Sequence, residues 1–295
     1  MRAAAIFGLG SSRHELKPFQ EVPHTEWEIG LPARAEGLDA ILIFGGDGTV
    51  HRHLGTLVRL GLPVLVVPAG SGNDFARALA LRRLRDSLDA WRNFASAGGK
   101  VRTVDLGVVM PRGEGQTRSD GTAHYFSCAA GVGLDGEIAR RANALPRWLR
   151  GHGGYALSLA PALLRFRPFG LKLSVLPAGS PSEHVPQVER PTLAAVFANA
   201  PVYGGGMRIA PKAKMDDGQL DVCLIGDIRK LKLIGVFPSV YLGRHLGVRE
   251  VEYFTTVRVC VETDRPLDVY ADGEYVCRTP VELSVAAGAL RVIVA

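Results

Sequence analysis

The sequence has no pair of cysteines at a useful spacing. Cys128, Cys223, Cys260 and Cys277 stand far apart, and none sits where a zinc site or a redox pair would need it. Thiols scattered in this way are expected to be buried and reduced, which suits the cytoplasm. No apolar run is long enough to cross a bilayer: YALSLAPALL at 155–164 falls short of the ~20 residues required and contains a proline. The hydrophobic start is broken at Gly8–Arg13, so it does not form the apolar core of a secretion signal. Aromatic residues make up only 7% and are not interleaved with the basic ones, so no nucleic-acid partner is expected. A serine nucleophile elbow and a Gly-x-x-x-x-Gly-Lys-Ser/Thr phosphate loop are also missing.

The 295 residues are enough for about two domains, and 47% hydrophobic with 22% charged residues is the profile of a folded globular chain. The formal net charge of +6 favours an anionic partner such as a nucleotide or a membrane surface. Up to about residue 100, the buried-strand runs AAAIF, AILIF and PVLVV alternate with helical patterns, one carrying Val50, Leu54, Leu57 and Val58 and another Leu84, Leu88, Trp91 and Ala95. Beyond it the period becomes two, in LKLSVLP, VRVCVET, VELSV and LRVIVA. The expected fold is an α/β domain with a parallel sheet over 1–100, followed by an antiparallel β-sandwich over 101–295. The change falls at Gly98–Lys100, and Arg112–Gly121 reads as a surface loop. Arg140, Arg141, Arg147, Arg150, Arg165 and Arg167 flank the apolar 155–164 stretch, a pattern that suits either a solvated helix face or an anionic leaflet.

The chemistry concentrates in two glycine stretches. ILIFGGDGTVHRHL places Asp47 among Gly45, Gly46 and Gly48, ahead of Thr49. Asp-Gly between apolar runs usually marks a hairpin, but the residues that follow keep helical spacing, so the unit reads as strand, glycine loop, helix. Such a loop aims backbone N–H groups at an anion. A negative side chain within it repels phosphate unless a cation stands between them, and Mg²⁺ is the natural bridge. VLVVPAGSGNDFARAL repeats the device with Gly70, Ser71 and Gly72, and Asn73 or Asp74 is placed to cap the next helix. Two consecutive strands ending in such loops put both at the sheet edge where open α/β folds hold ligands.

GGDGT followed by PAGSGNDFAR resembles the catalytic region of the diacylglycerol kinase family, which includes bacterial lipid kinases and sphingosine and ceramide kinases. GGDGT alone is shared with NAD kinases and phosphofructokinases. VDLG, FSCAAGVGLDGEI, NAPVYGGGMRIAPKAKMDDGQLDV and VYADGEYV continue the likeness in order, from about residue 38 to the end. The resemblance implies a two-domain ATP-dependent lipid kinase with its active site in the interdomain cleft. It implies that Gly45–Thr49 and Gly70–Asn73 contact ATP, that Asp47 acts through Mg²⁺ and water, and that Asp272 or Glu274 is the base. It also implies a structural divalent ion on Lys214, Asp217 and Gln219. The implied acceptor is a lipid with a free hydroxyl, most simply diacylglycerol. The implied location is the cytoplasm, peripheral at the inner face of the membrane. The oligomeric state stays open, a homodimer included.

Two features depart from the family. The first strand runs into IFGLGSSRHELKPF where an Asn-Pro and glycine loop is usual, leaving Gly8, Gly10, Ser11 and Ser12 as backbone donors and Arg13 or Lys17 as a charge. The stretch from there to GGDGT is short, so the first helix or the second strand must be reduced. Val50, His51 and Arg52 stand where Asn-Glu is common, and His51 and His53 read as exposed helix residues. GVGLDG at 131–136 matches Gly-x-Gly-x-x-Gly, but no acid lies between Glu137 and Glu183 to hold a ribose, so it reads as a strand-to-helix turn. The alternatives are an NAD kinase, because of the shared aspartate loop, and a non-catalytic nucleotide-binding regulator, because of the altered first loop.

Overall fold

A computed structural model describes residues 1–97, 99–113, 123–144, 162, 166–175 and 185–295. By contact these fall into two units, Met1–Asp105 with Gly288–Ala295, and Leu106–Ala287. Gly98, most of the loop at 112–121, most of the 155–164 stretch, and Arg147, Arg150 and Arg165 lie outside the described residues.

In the first unit the three apolar runs are strands β1 (Arg2–Phe7), β3 (Ala40–Gly45) and β4 (Val64–Pro68), all parallel. Ala3 to Ala5, Ile41 to Phe44, and Val64, Leu65 and Val67 have no exposed surface, as expected of strands covered on both faces. The reduction expected ahead of GGDGT is met by α1 (Lys17–Gln20) and by β2 (Glu26–Ile29), each four residues long. Sequence periodicity missed β2 because EWEI buries little; its Trp27 packs on Trp91 with ring centroids 5.5 Å apart. The sheet order is β2-β1-β3-β4. From β1 the chain goes one way to β2 and then the other way to β3, so the loops after β1 and β3 flank the switch point. The helices are α2 (Asp47–Leu60), α3 (Asp74–Ala78) and α4 (Leu84–Ala97). α2 buries Val50, Leu54, Leu57 and Leu60, while α4 buries Leu88 and Trp91 and ties Ser87 Oγ to the Val66 carbonyl at 2.9 Å. His51 and His53 are half-buried on α2 rather than exposed, and burial together with Arg52 lowers the pKa of His53.

The chain continues through β5 (Lys100–Pro111), β6 (His124–Phe126), β7 (Ala129–Gly133), α5 (Leu134–Ala144), β8 (Phe169–Val175), β9 (Val185–Ala198), β10 (Leu220–Gly226), α6 (Lys230–Val240), β11 (Val251–Thr256), β12 (Arg258–Thr263), β13 (Asp268–Ala271), β14 (Glu274–Arg278) and β15 (Val281–Val294). Within the second unit the pairings of β6 to β14 are antiparallel. β9 shows how both faces are filled: Ala195 and Phe197 join a core with Phe126, Phe169, Val259 and Leu283, while Val196 and Ala198 join another with Met207, Ile209 and Cys223. The end of β15 belongs with the first unit although LRVIVA continues the period-two rhythm, because Val292 pairs in parallel with Val64 of β4. The four thiols are free, with Cys277 partly buried and the rest buried. No helix among the described residues is long and apolar enough to cross a membrane.

His245 is 1% exposed, in a 3₁₀ turn at Arg244–Gly247. Its Nε2 lies 3.0 Å from the Ile209 carbonyl and 3.9 Å from Cys223 Sγ, while Nδ1 has no partner among the described residues. Burial lowers the imidazole pKa, which the bond to Ile209 only partly offsets, and pushes Cys223 up to about 12. The neutral ring therefore stabilises the fold above its ordinary value of 6.5. Below that value the unfolded chain takes up the proton first, and stability falls until the lowered folded pKa is passed. The melting temperature should drop as pH is lowered from neutral towards about 5.5, and His245→Gln should flatten that slope; an unchanged slope would exclude this histidine as the cause.

Candidate functional site

The first unit locks its two glycine loops together. Asp47 N–H donates to the Gly72 carbonyl at 3.0 Å, and Ala69 N–H donates to the Gly45 carbonyl at 3.1 Å. A Cβ on Gly46 would lie 2.3 Å from the Gly72 oxygen, and one on Gly70 would lie 2.3 Å from the Gly46 Cα. These glycines are needed because backbone packs on backbone. Thr49 fills the space beside Gly45, where a Cβ would come 2.6 Å from its Oγ1.

Asp47 and Gly48 form the first turn of α2, with Gly46 as its N-cap, so the hairpin reading does not apply and the loop ends sooner than expected. Asp47 Oδ2 accepts the N–H of Asp74 at 2.9 Å, and Oδ1 accepts the N–H of Phe75 at 3.0 Å. Its negative charge thus satisfies two of the N–H groups that the start of α3 leaves without intrahelical partners. Of the two caps expected, Asn73 or Asp74, Asn73 holds the N-cap position but its side chain does not cap: its amide turns back to the Gly70 carbonyl at 2.8 Å and its Oδ1 accepts the Gly70 N–H at 3.1 Å. Asn73 closes the Gly70–Ser71–Gly72 loop, and Asp47 takes the capping role from a different helix. Asp74, 3% exposed, pairs with Arg77, and Ser71 is exposed.

The first loop is closed on itself. Gly8 N–H donates to the Phe44 carbonyl at 2.8 Å, Ser11 N–H to the Gly8 carbonyl at 3.2 Å, and Ser12 N–H to Glu15 at 3.3 Å. Ser11 Oγ lies 2.7 Å from the Phe44 carbonyl. Three of the four proposed anion donors are therefore engaged internally, a correction that the Ser-x-x-Glu spacing of Ser12 and Glu15 could have signalled.

In the second unit VYADGEYV is a two-residue hairpin turn between β13 and β14. Asp272 has φ +49° and Gly273 φ +84°, both left-handed. Asp272 Oδ2 accepts Ser127 N–H at 2.7 Å and Ser127 Oγ–H at 3.1 Å, while Oδ1 accepts the N–H groups of Cys128 at 2.8 Å and Ala129 at 3.3 Å. Its own N–H returns to the Ala129 carbonyl at 2.9 Å. Glu274, two residues on, is exposed. Buried Asn199 joins the same cluster, its side-chain amide N–H donating to the Ser127 carbonyl at 3.0 Å. Sequence reasoning singled out neither Ser127 nor Asn199, because period-two patterning shows which face is buried and not which side chains meet.

GVGLDG is the strand-to-helix turn expected, from β7 into α5, and Asp135 there accepts the Tyr203 hydroxyl. Arg140 and Arg141 both pair with Glu137 on α5, so neither is a bare charge; Arg167 is exposed. In the Lys214–Gln219 turn, exposed Asp217 accepts the Gln219 N–H at 3.1 Å. Neighbouring Asp221 has its pKa raised by burial, and the Asp217 charge adds to that rise. Among the described residues no three His, Cys, Asp or Glu side chains converge as a metal cluster. The Lys214, Asp217, Gln219 set differs in kind, one carboxylate with backbone carbonyls. Such an all-oxygen set suits a hard cation, and one beside Asp217 would offset the repulsion on Asp221.

The diacylglycerol kinase catalytic domain family matches residues 14–109, and the YegS C-terminal NAD kinase beta sandwich-like domain family matches residues 128–294. A diacylglycerol kinase of Mycobacterium tuberculosis (strain CDC 1551 / Oshkosh) is 32% identical over 271 residues, covering 92% of this chain and 81% of the relative. A diacylglycerol kinase of Bacillus subtilis (strain 168) is 27% identical, covering 91% and 80%. A crystal structure of a proposed diacylglycerol kinase from Bacillus anthracis str. Sterne shares the fold with a TM-score of 0.73 at 21% identity, covering 100% of this chain and 97% of that one. The α/β unit with a parallel sheet followed by an antiparallel NAD kinase-like β-sandwich is the part of this chain that the family model and the crystal structure match. The chain belongs to the diacylglycerol kinase family of lipid kinases.

Proposed function

We propose that the protein transfers the γ-phosphate of ATP to the hydroxyl of a membrane lipid, most simply diacylglycerol, giving phosphatidic acid. The observation that carries this is the pair of interlocked glycine loops beside the switch point of a parallel sheet, with Asp47 between them. The first unit serves as the nucleotide unit and the second as the lipid unit. Gly45, Gly46, Gly48, Thr49, Gly70, Ser71, Gly72 and Asn73 surround the phosphates. A nucleotide-bound Mg²⁺ brings most of its own oxygen ligands and asks the protein for one or two carboxylates, a demand that Asp47 meets directly or through water. A cation held there would supply charge neutralisation for the transferring phosphoryl group, while the glycine loops position it.

The base is Glu274. A carboxylate has about four acceptor sites, and Asp272 already accepts three N–H groups and one hydroxyl. Asp272 therefore fixes the turn, and Glu274 is the acid left open to the lipid hydroxyl. Glu274→Gln should lower turnover by ~10²-fold to 10⁴-fold with an unchanged melting temperature. Asp272→Asn should lower melting temperature and turnover together. Full activity in the glutamate variant would sink this assignment.

Asp47→Ala leaves the Asp74 and Phe75 N–H groups without their acceptor, at a cost of about 2 kcal/mol. It should melt several degrees lower and lose ~10²-fold or more in lipid phosphorylation; wild-type values for both would remove Asp47 from the scheme. Labelled ATP supplied with an extracted lipid mixture identifies the acceptor. A parallel reaction with NAD that yields NADP, and no labelled lipid, would instead support an NAD kinase. Without nucleotide, added Mg²⁺ or Ca²⁺ should raise the wild-type melting temperature through Lys214, Asp217 and Gln219. Asp217→Ala should abolish that rise, and an identical response in both proteins would rule the site out.

A further inference from the structure

Helix α6 is apolar on two opposite faces. Leu233 and Val240 are buried, and with half-buried Phe237 they pack inward against the second unit. The opposite side repeats the pattern outward: Leu231 is 85% exposed, Ile234 49% and Pro238 exposed, at i, i+3 and i+7. The turn after the helix adds Leu242 at 63% and Tyr241 at 36%. Isolated exposed leucines are ordinary, but a contiguous stripe at helical spacing marks a surface that meets something apolar. Cations border it. From Asp227 to Arg249 there are five Lys or Arg residues and one acid, and Arg229, Lys230, Arg244 and Arg249 are exposed. Lys232 is held by Glu250 at 2.6 Å.

We propose that the outer face of α6 and the turn after it form an interfacial anchor for an anionic lipid bilayer. Leucines, a tyrosine and bordering basic residues in this arrangement match an element lying in the plane of the headgroups: the outer apolar side chains enter the acyl boundary and the cations meet the anionic leaflet. A second copy of the chain fits less well. A two-fold contact through this stripe sets each surface against its own copy, bringing Arg229, Lys230 and Arg244 of one chain near the same cations of the other, while lipid phosphates neutralise them. The inference rests on the lipid-kinase reading and extends it, assigning the approach to the bilayer to α6 rather than to the arginines at 140–167.

The test is sedimentation without nucleotide, using phosphatidylcholine vesicles and phosphatidylcholine vesicles containing phosphatidylglycerol. The proteins are the wild type, a Leu231→Glu/Leu242→Glu variant and an Arg229→Ala/Arg244→Ala variant. Each is also checked for melting temperature and for phosphorylation of a short-chain diacylglycerol dispersed as monomers. The wild type should prefer the anionic vesicles, the leucine variant should bind them ~10-fold less or weaker still, and the arginine variant should lose the anionic preference. Activity on the monomeric substrate should be equal in all three. Undiminished vesicle binding by the leucine variant, or a wild type that binds neither vesicle, overturns the proposal. So does a wild-type dimer that this variant converts to a monomer, which would assign the face to a second copy. A protein that binds vesicles as described but phosphorylates no lipid would refute the kinase reading and leave the anchor standing.

Discussion

Gly46 and Gly70 approach so closely that neither tolerates a side chain, and Asp47 locks that approach by accepting two N–H groups from the start of α3. Everything proposed for the nucleotide depends on this contact. Two loops that moved independently would each have to be ordered when a ligand arrived, at roughly 1–2 kcal/mol per residue fixed. Here the ordering is completed during folding. Phosphoryl transfer asks the protein mainly for positioning and preset electrostatics, so a loop pair held rigid before binding is what the chemistry needs.

The second unit uses the same physical device with a different backbone. Asp272 collects N–H groups from Ser127 to Ala129, as Asp47 collects them from α3. In both places a carboxylate on one segment satisfies backbone donors of a segment far away in sequence, 27 residues for Asp47 and Asp74 and 145 for Ser127 and Asp272. A charge-assisted bond of this kind is roughly twice as strong as a neutral one. It also closes a long loop whose ordering entropy grows only slowly with length.

Much of this was legible in the chain. AAAIF, AILIF and PVLVV announced parallel strands because strands buried on both faces need unbroken apolar runs, and the shortened segment before GGDGT did become a four-residue helix and a four-residue strand. At Asp47-Gly48 the helical spacing of the following residues argued against a hairpin, and the pair does open α2. What the sequence hid was partnership. No local pattern says that Asp47 caps α3 or that Asp272 collects the N–H groups of Ser127 to Ala129, because those choices depend on which segments the sheet brings together. The placement of the last eight residues was hidden for a related reason: alternation is the same whether a strand pairs antiparallel or, like Val292 with Val64, in parallel.

A two-residue hairpin also explains why two acids stand so close in VYADGEYV and yet differ in surroundings. A type I′ turn requires φ above zero at both central residues, which Gly adopts at no cost and Asp tolerates better than most. Position 272 therefore suits an aspartate on backbone grounds alone, and its short side chain reaches the N–H groups of Ser127 to Ala129. Glu274 begins the next strand, free of the turn's dihedral demand, with a longer side chain in solvent. One acid is consumed in building the corner, and the corner in turn fixes where the other begins. A proton acceptor must be both open and well placed, and a single residue at this turn could not be anchored by four donors and still take a proton from a substrate.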